Sequence, residues 1–202
     1  MHFVKSIFLL GLLAVQSLAG PVHVPRTERN SALAAYVAAR DEPVGKRAAP
    51  PADFVNWPAG EVVDMSTHGS ARRGETLKTD GLASCIAVVV FNQEAQDDDN
   101  DKFLAHISAV DWQAQLNRLY EATDLSSPRV RIFVPRPVEG PMYDIQNSVN
   151  EDVISHINGQ WGEDYSIDVK IRDGSRNDEV GGSRLWIDGN NNVHWSVTGQ
   201  II

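Results

Sequence analysis

The sequence contains one cysteine, Cys85, so no disulfide can form within the chain. Asn-x-Ser/Thr does not occur, so no N-linked glycan is expected. Basic residues are the minority: 18 Lys/Arg stand against 27 Asp/Glu, a formal net charge of −9. That argues against nucleic acid as a partner, because phosphate recognition needs a basic patch. Beyond the N-terminus, no stretch nears the roughly 20 apolar residues that span a bilayer. Internal repeats at solenoid periods are also missing. What remains is an ordinary hydrophobic content of 42%, enough for a core. A length of 202 residues suits one domain plus an extra segment.

The extra segment is N-terminal. His2 and Lys5 precede an apolar run from Ile7 to Val15, and Ser17-Leu18-Ala19 places small residues where a signal peptidase reads. Residues 1–19 therefore read as a signal peptide, with a buried N-terminal helix as the alternative. The protein is expected to be secreted, with no membrane association once this segment is removed. Residues 20–47 read as a propeptide, with a short helix from Leu33 to Ala39. It ends in Lys46-Arg47, which resembles a dibasic processing site; an exposed pair in a linker is the alternative. Residues 1–47 carry six Lys/Arg and three Asp/Glu, a net +3, so the rest of the chain carries −12. Residues 48–202 are then an acidic domain, soluble and weakly disposed toward a basic partner surface.

Within that domain, Ala52 to Thr67 reads as irregular, with Val55, Trp57, Val62, Val63 and Met65 packing as an edge strand or lid, and Ser66 to Glu75 reads as a polar loop. Ile86 to Phe91 is an apolar run bounded by turn residues, hence a buried strand. Gln93 to Lys102 carries Asp97, Asp98, Asp99 and Asp101. It lacks the Gly and distal Glu of an EF-hand loop and reads as a solvated hairpin tip. Phe103 to Ile107 is a returning antiparallel strand. Asp111 to Ala122 is a helix with Asp111 as N-cap and Trp112, Leu116, Leu119 and Tyr120 at helical spacing. Arg129 to Val134 is a strand stopped by Pro135. Tyr143 to Ile157 is a helix with Ile145, Val149, Val153, Ile154 and Ile157 on one face, closed by Gly159. Tyr165, Ile167, Val169 and Ile171 alternate as a half-exposed strand before a turn at Asp173-Gly174. Arg184 to Asp188 and Val193 to Val197 form a hairpin around a Gly/Asn turn, with aromatic residues paired across it. The class is α+β or α/β with a substantial sheet.

Cys85 lies between the Thr79-Asp80-Gly81-Leu82-Ala83-Ser84 turn and the apolar strand, where a loop aims a side chain and the sheet holds it still. A lone thiol in an exported protein is a reactive site, a partner-linking cysteine or an inert buried residue. A free thiol, with a pKa of about 8.5, becomes a nucleophile when an imidazole takes its proton as a thiolate–imidazolium pair. The hairpin would bring His106 back to Cys85, and Thr79 could orient the imidazole. His68, His156 and His194 are the competing histidines.

The segment Thr79-Asp80-Gly81-Leu82-Ala83-Ser84-Cys85-Ile86-Ala87-Val88 resembles the Thr-x-Gly-Leu-Gly-Ser-Cys-Val-Ala-Val signature of CheD-type chemoreceptor glutamine deamidases. The family's histidine lies in the next strand, matching Phe103-Leu104-Ala105-His106. Ile145-Gln146-Asn147-Ser148-Val149 and Val180-Gly181-Gly182-Ser183-Arg184 are similar to later family segments. The likeness runs from about Thr76 to Val197. Ala83 replaces a family glycine, an acidic insert lengthens the Cys-to-His connection, and Phe133-Val134-Pro135-Arg136 stands where the family has Phe-Gly-Gly-Ala. Cytotoxic necrotizing factor toxins carry related domains. The resemblance implies an antiparallel-rich, β-sandwich-like core flanked by helices. It further implies a site of Cys85, His106 and Thr79, with backbone N–H groups around Ala83 and Ser84 facing the oxyanion. The implied reaction is deamidation of an accessible Gln on a protein substrate, with transglutamination if an amine replaces water, and without metal or organic cofactor. A non-catalytic secreted interaction protein on the same fold, and a cysteine protease, are the competing functions.

Overall fold

The structure is a computed structural model that describes residues 36, 57–82, 84–92, 100–125, 128–137, 140, 142–162, 165–172 and 184–195. The expected signal peptide, the Lys46-Arg47 pair, Ala83, Asp97 to Asp99, the Asp173-Gly174 turn and Gly181-Gly182 lie outside the described residues.

The described residues form nine strands and two helices. In chain order these are β1 (Glu61–Val62), β2 (His68–Ala71), β3 (Leu77–Thr79), β4 (Ile86–Asn92), β5 (Lys102–Ile107), α1 (Trp112–Ala122), β6 (Pro128–Pro135), α2 (Tyr143–Trp161), β7 (Ser166–Arg172), β8 (Leu185–Ile187) and β9 (Val193–Trp195). They make a five-stranded sheet, order β2-β5-β4-β6-β7, and a four-stranded sheet, order β1-β3-β8-β9. β1 with β3 and β6 with β7 pair parallel; the other pairings are antiparallel. This is a mixed α/β architecture, consistent with α+β.

β4 is buried at every position, as its unbroken apolar run requires for a central strand covered on both faces. Its alternate residues feed two cores. Ile86, Val88 and Val90 pack with β5, β6 and the two helices, together with Leu116, Leu119, Val153, Ile154, Ile157 and Trp161. Ala87, Val89 and Phe91 face the other way and meet Leu77, Leu82, Leu104, Phe133, Leu185, Ile187 and Val193. The order of layers is helices, five-stranded sheet, four-stranded sheet. The site residues belong to the layer between the sheets.

Several local expectations change. His68–Ala71 is a strand and not a polar loop: it pairs with β5, and its small residues Gly69 and Ala71 let the edge approach the second sheet. A Cβ on Gly69 would stand 2.9 Å from Val63 Cγ2, so only glycine fits this contact. Asp111 occupies the N-cap position of α1 without a side-chain cap bond, because its backbone is left-handed at φ 58°. Tyr120 is 40% exposed and stacks on Trp161. α2 runs through Gly159 to Trp161 because buried Trp161 packs a further turn onto the core. Ile145, in its first turn, is exposed. The final hairpin forms as expected, with Trp186 stacked on His194 across the strands at 5.0 Å.

Asp101 is not part of a solvated tip. Asp101 and Lys102 are fully buried at the end of the sheets remote from Cys85. The Lys102 ammonium donates to the carbonyls of Glu75 (2.9 Å) and Asp188 (2.7 Å), while Asn191 Nδ2 donates to Asp101 Oδ2 at 3.1 Å. These bonds fasten the start of β5 to the connection between β2 and β3 and to the turn between β8 and β9. Tyr36, in the segment read as a propeptide, is helical and buried in the helix-side core. Its hydroxyl donates to Asn147 Oδ1 (2.9 Å) and accepts from Asn150 Nδ2 (3.0 Å).

Leu77→Ala removes a fully buried side chain between the sheets. Urea unfolding should show a loss of about 2–5 kcal/mol, the range for cavity-forming core truncations.

Candidate active site

The register of β4 and β5 decides the central spatial question. Ile86 faces Ile107 and Ala87 faces His106. Cys85, one residue before β4, is therefore diagonal to His106 and on the same face of the sheet, a relation that lets side chains meet across strands. Both point into the layer between the sheets. Thr79 enters that layer from the facing sheet, at the end of β3. Thr79 is fully buried, and His106 and Cys85 are 3% and 8% exposed.

The bonds of Thr79 fix the imidazole. Its Oγ1 donates to the Val63 carbonyl at 2.8 Å. A hydroxyl has one proton, and a carbonyl can only accept. The second contact, 2.8 Å to His106 Nδ1, must then have Nδ1–H as donor and Oγ1 as acceptor. His106 is held as the Nδ1–H tautomer. Its Nε2 carries the lone pair and has no hydrogen-bond partner among the described residues. That is the form a general base needs. Main-chain bonds hold the residue too: His106 N–H donates to the Thr67 carbonyl (3.0 Å), and Ser66 N–H donates to the His106 carbonyl (2.8 Å).

The loop before Cys85 is anchored by Leu82, which is fully buried in the inter-sheet core. Gly81 makes the turn with φ 68°, a left-handed conformation that suits glycine. Ser84 is exposed and hydrogen-bonds the Cys85 sulfur. Ala83, expected beside the oxyanion, lies outside the described residues.

Arg172 was not singled out in the sequence. It ends β7 opposite Pro135 and is 2% exposed. Phe133 pairs with Lys170 on β7 and with Ala87 on β4, so alternation places Arg172 on the same face as Cys85 and His106. Its Nη2 donates to the Cys85 carbonyl. The alternation of Ile167, Val169 and Ile171 marks Arg172 as facing away from them, but only the strand register shows what lies on that other face.

The electrostatics differ from a resting thiolate–imidazolium pair. Burial pushes the Cys85 thiol up, against the pull of the Arg172 guanidinium and the Ser84 bond. Burial, then Arg172, lowers His106 from 6.5 to about 4, while Asp80 and Asp64 act the other way. Both groups rest neutral at neutral pH. The arrangement suits proton transfer in step with nucleophilic attack, with no stored ion pair.

The three competing histidines stand elsewhere. His68 pairs with Ala105, so it shares the helix-side face. His156 on α2 contacts Asn117 and Trp112. His194 hydrogen-bonds Asp188 Oδ2 at 2.8 Å on the outer face of the small sheet, opposite the face that carries Val193.

Two outcomes follow. The unfolded chain takes up a proton on His106 near 6.5, but the folded chain does so only near 4. This residue's contribution to stability is complete above 6.5 and is lost as pH falls toward 4. Urea unfolding across that window should show a shallower acid decline in His106→Gln than in wild type. Thr79→Val strands the Val63 carbonyl and His106 Nδ1, and should lower stability by about 1–3 kcal/mol by the same assay; Thr79→Ser should recover most of it.

No protein-family model matches this chain, and no curated protein matches it.

Proposed function

We propose that the protein is a secreted cysteine hydrolase that converts glutamine side chains of a protein substrate to glutamate, on a CheD-like fold. The observation that carries the reading is the His106 ring, fixed by Thr79 with an unpaired Nε2 and sharing a face with Cys85.

The chemistry follows from that geometry. Cys85 Sγ attacks the side-chain carbonyl carbon, and its proton passes to His106 Nε2. Backbone N–H groups near Ser84 and Cys85 steady the tetrahedral oxyanion in this reading. The carbon–nitrogen bond breaks as His106 gives its proton to the departing ammonia. Water then attacks the thioester, with His106 as base, and releases glutamate. An amine in place of water gives transglutamination. The residues named need no metal or organic cofactor for these steps.

The low exposure of Cys85 and its raised thiol favour a second reading, a secreted interaction protein in which the cysteine is inert.

The test is mass spectrometry of candidate proteins incubated with residues 48–202 and with the full chain. The hydrolase should convert Gln to Glu with release of ammonia and no shortened products. Cys85→Ala should abolish conversion, and His106→Ala should reduce it by about a hundredfold or more. Shortened products would indicate a protease. Intact substrates, with a Cys85 that resists iodoacetamide in wild type and His106→Ala alike, would establish the interaction protein.

A further inference from the structure

We propose that Arg172 is a positioning residue for the Cys85 nucleophile, whose guanidinium fixes the Cys85 carbonyl and supplies the positive charge that balances the thiolate as it forms. The proposal rests on the hydrolase reading and assigns a fourth residue to that site.

The placement is built by the sheet. β4 starts, and β5, β6 and β7 end, at the same edge of the five-stranded sheet. Arg136 N–H donates to the Arg172 carbonyl at 2.9 Å, which pins the end of β7 to the residue following β6. The guanidinium then reaches across the end of β6 to the Cys85 carbonyl. A planar guanidinium offers five N–H donors in a rigid fork, so one bond to a carbonyl also orients the rest of the charge. Cys85 is the last residue before β4 and precedes the ladders that β4 makes with β5 and β6. The bond to Arg172 therefore fixes the main chain that carries the sulfur.

The charge has a chemical consequence in each half of the reaction. A buried thiolate needs a nearby cation, and at neutral pH His106 is not one. Arg172 also disfavours the imidazolium. A proton taken from Cys85 is thus held loosely on Nε2 and handed on readily to the leaving amine. Among the described residues, the charged groups acting on the pair are Arg172 from β7, Asp80 from the loop before Cys85, and Asp64 from the connection between β1 and β2.

The experiment is alkylation of Cys85 in the full chain by iodoacetate, an anion, and iodoacetamide, a neutral reagent, across a pH series. A cation beside the sulfur favours the anion. The wild-type iodoacetate-to-iodoacetamide rate ratio should exceed that of free cysteine by at least about threefold, despite the protein's net negative charge. Arg172→Met should lower the ratio to the free-cysteine value and raise the alkylation midpoint by about one pH unit. Arg172→Lys should retain much of the ratio. A wild-type ratio at or below that of free cysteine overturns the proposal, and this measurement stands even if Arg172→Met does not fold. A folded Arg172→Met with unchanged ratio and midpoint overturns it too. His106→Ala should slow both reagents without lowering the ratio. If it slows neither while the Arg172 variants behave as stated, the hydrolase reading fails and the placement of Arg172 stands.

Discussion

One proton on one hydroxyl organises the candidate site. Because Thr79 donates to the Val63 carbonyl, it can only accept from His106, and the histidine is left with its lone pair on Nε2. The constraint is tertiary. Thr79 belongs to the small sheet and His106 to the large one, so the bond exists only where the two sheets pack in this register. A one-residue slip of β3 would turn Thr79 out of the layer and bring Lys78 in.

The layer between the sheets is apolar in its middle and polar at both ends. At one end the Lys102 ammonium bonds the carbonyls of Glu75, just before β3, and Asp188, in the β8–β9 turn, and Asp101 accepts from Asn191 of that turn. At the other stand Thr79, His106, Cys85 and Arg172. Lys102 and His106 lie on the same face of β5, at opposite ends of the strand. Between them Leu104, Val89, Leu77 and Ile187 supply the burial that holds the sheets together. The same burial lowers His106 and raises Cys85, so the packing that builds the site also sets its resting protonation.

Much of this is legible in the sequence, for identifiable reasons. The apolar run of β4, the return of β5 and the alternation in β7 are local patterns, and the first two together put His106 on the same face of the sheet as Cys85. The β2 strand was not legible, because His68-Gly69-Ser70-Ala71 has small and polar residues that become a strand only against β5. The burial of Asp101 was hidden for a similar reason: its partners Asn191 and Arg73 are far away in the chain. Arg172 depends on a parallel pairing and two strand registers, none of which local periodicity encodes. The family resemblance rests on short segments, and Gly181-Gly182 lies outside the described residues.

The most direct measurement is the nitrogen NMR spectrum of the His106 ring at neutral and mildly acidic pH. The account predicts a protonated Nδ1, an unprotonated Nε2 and no conversion to imidazolium until pH approaches about 4. A proton on Nε2, or an imidazolium at neutral pH, would contradict it.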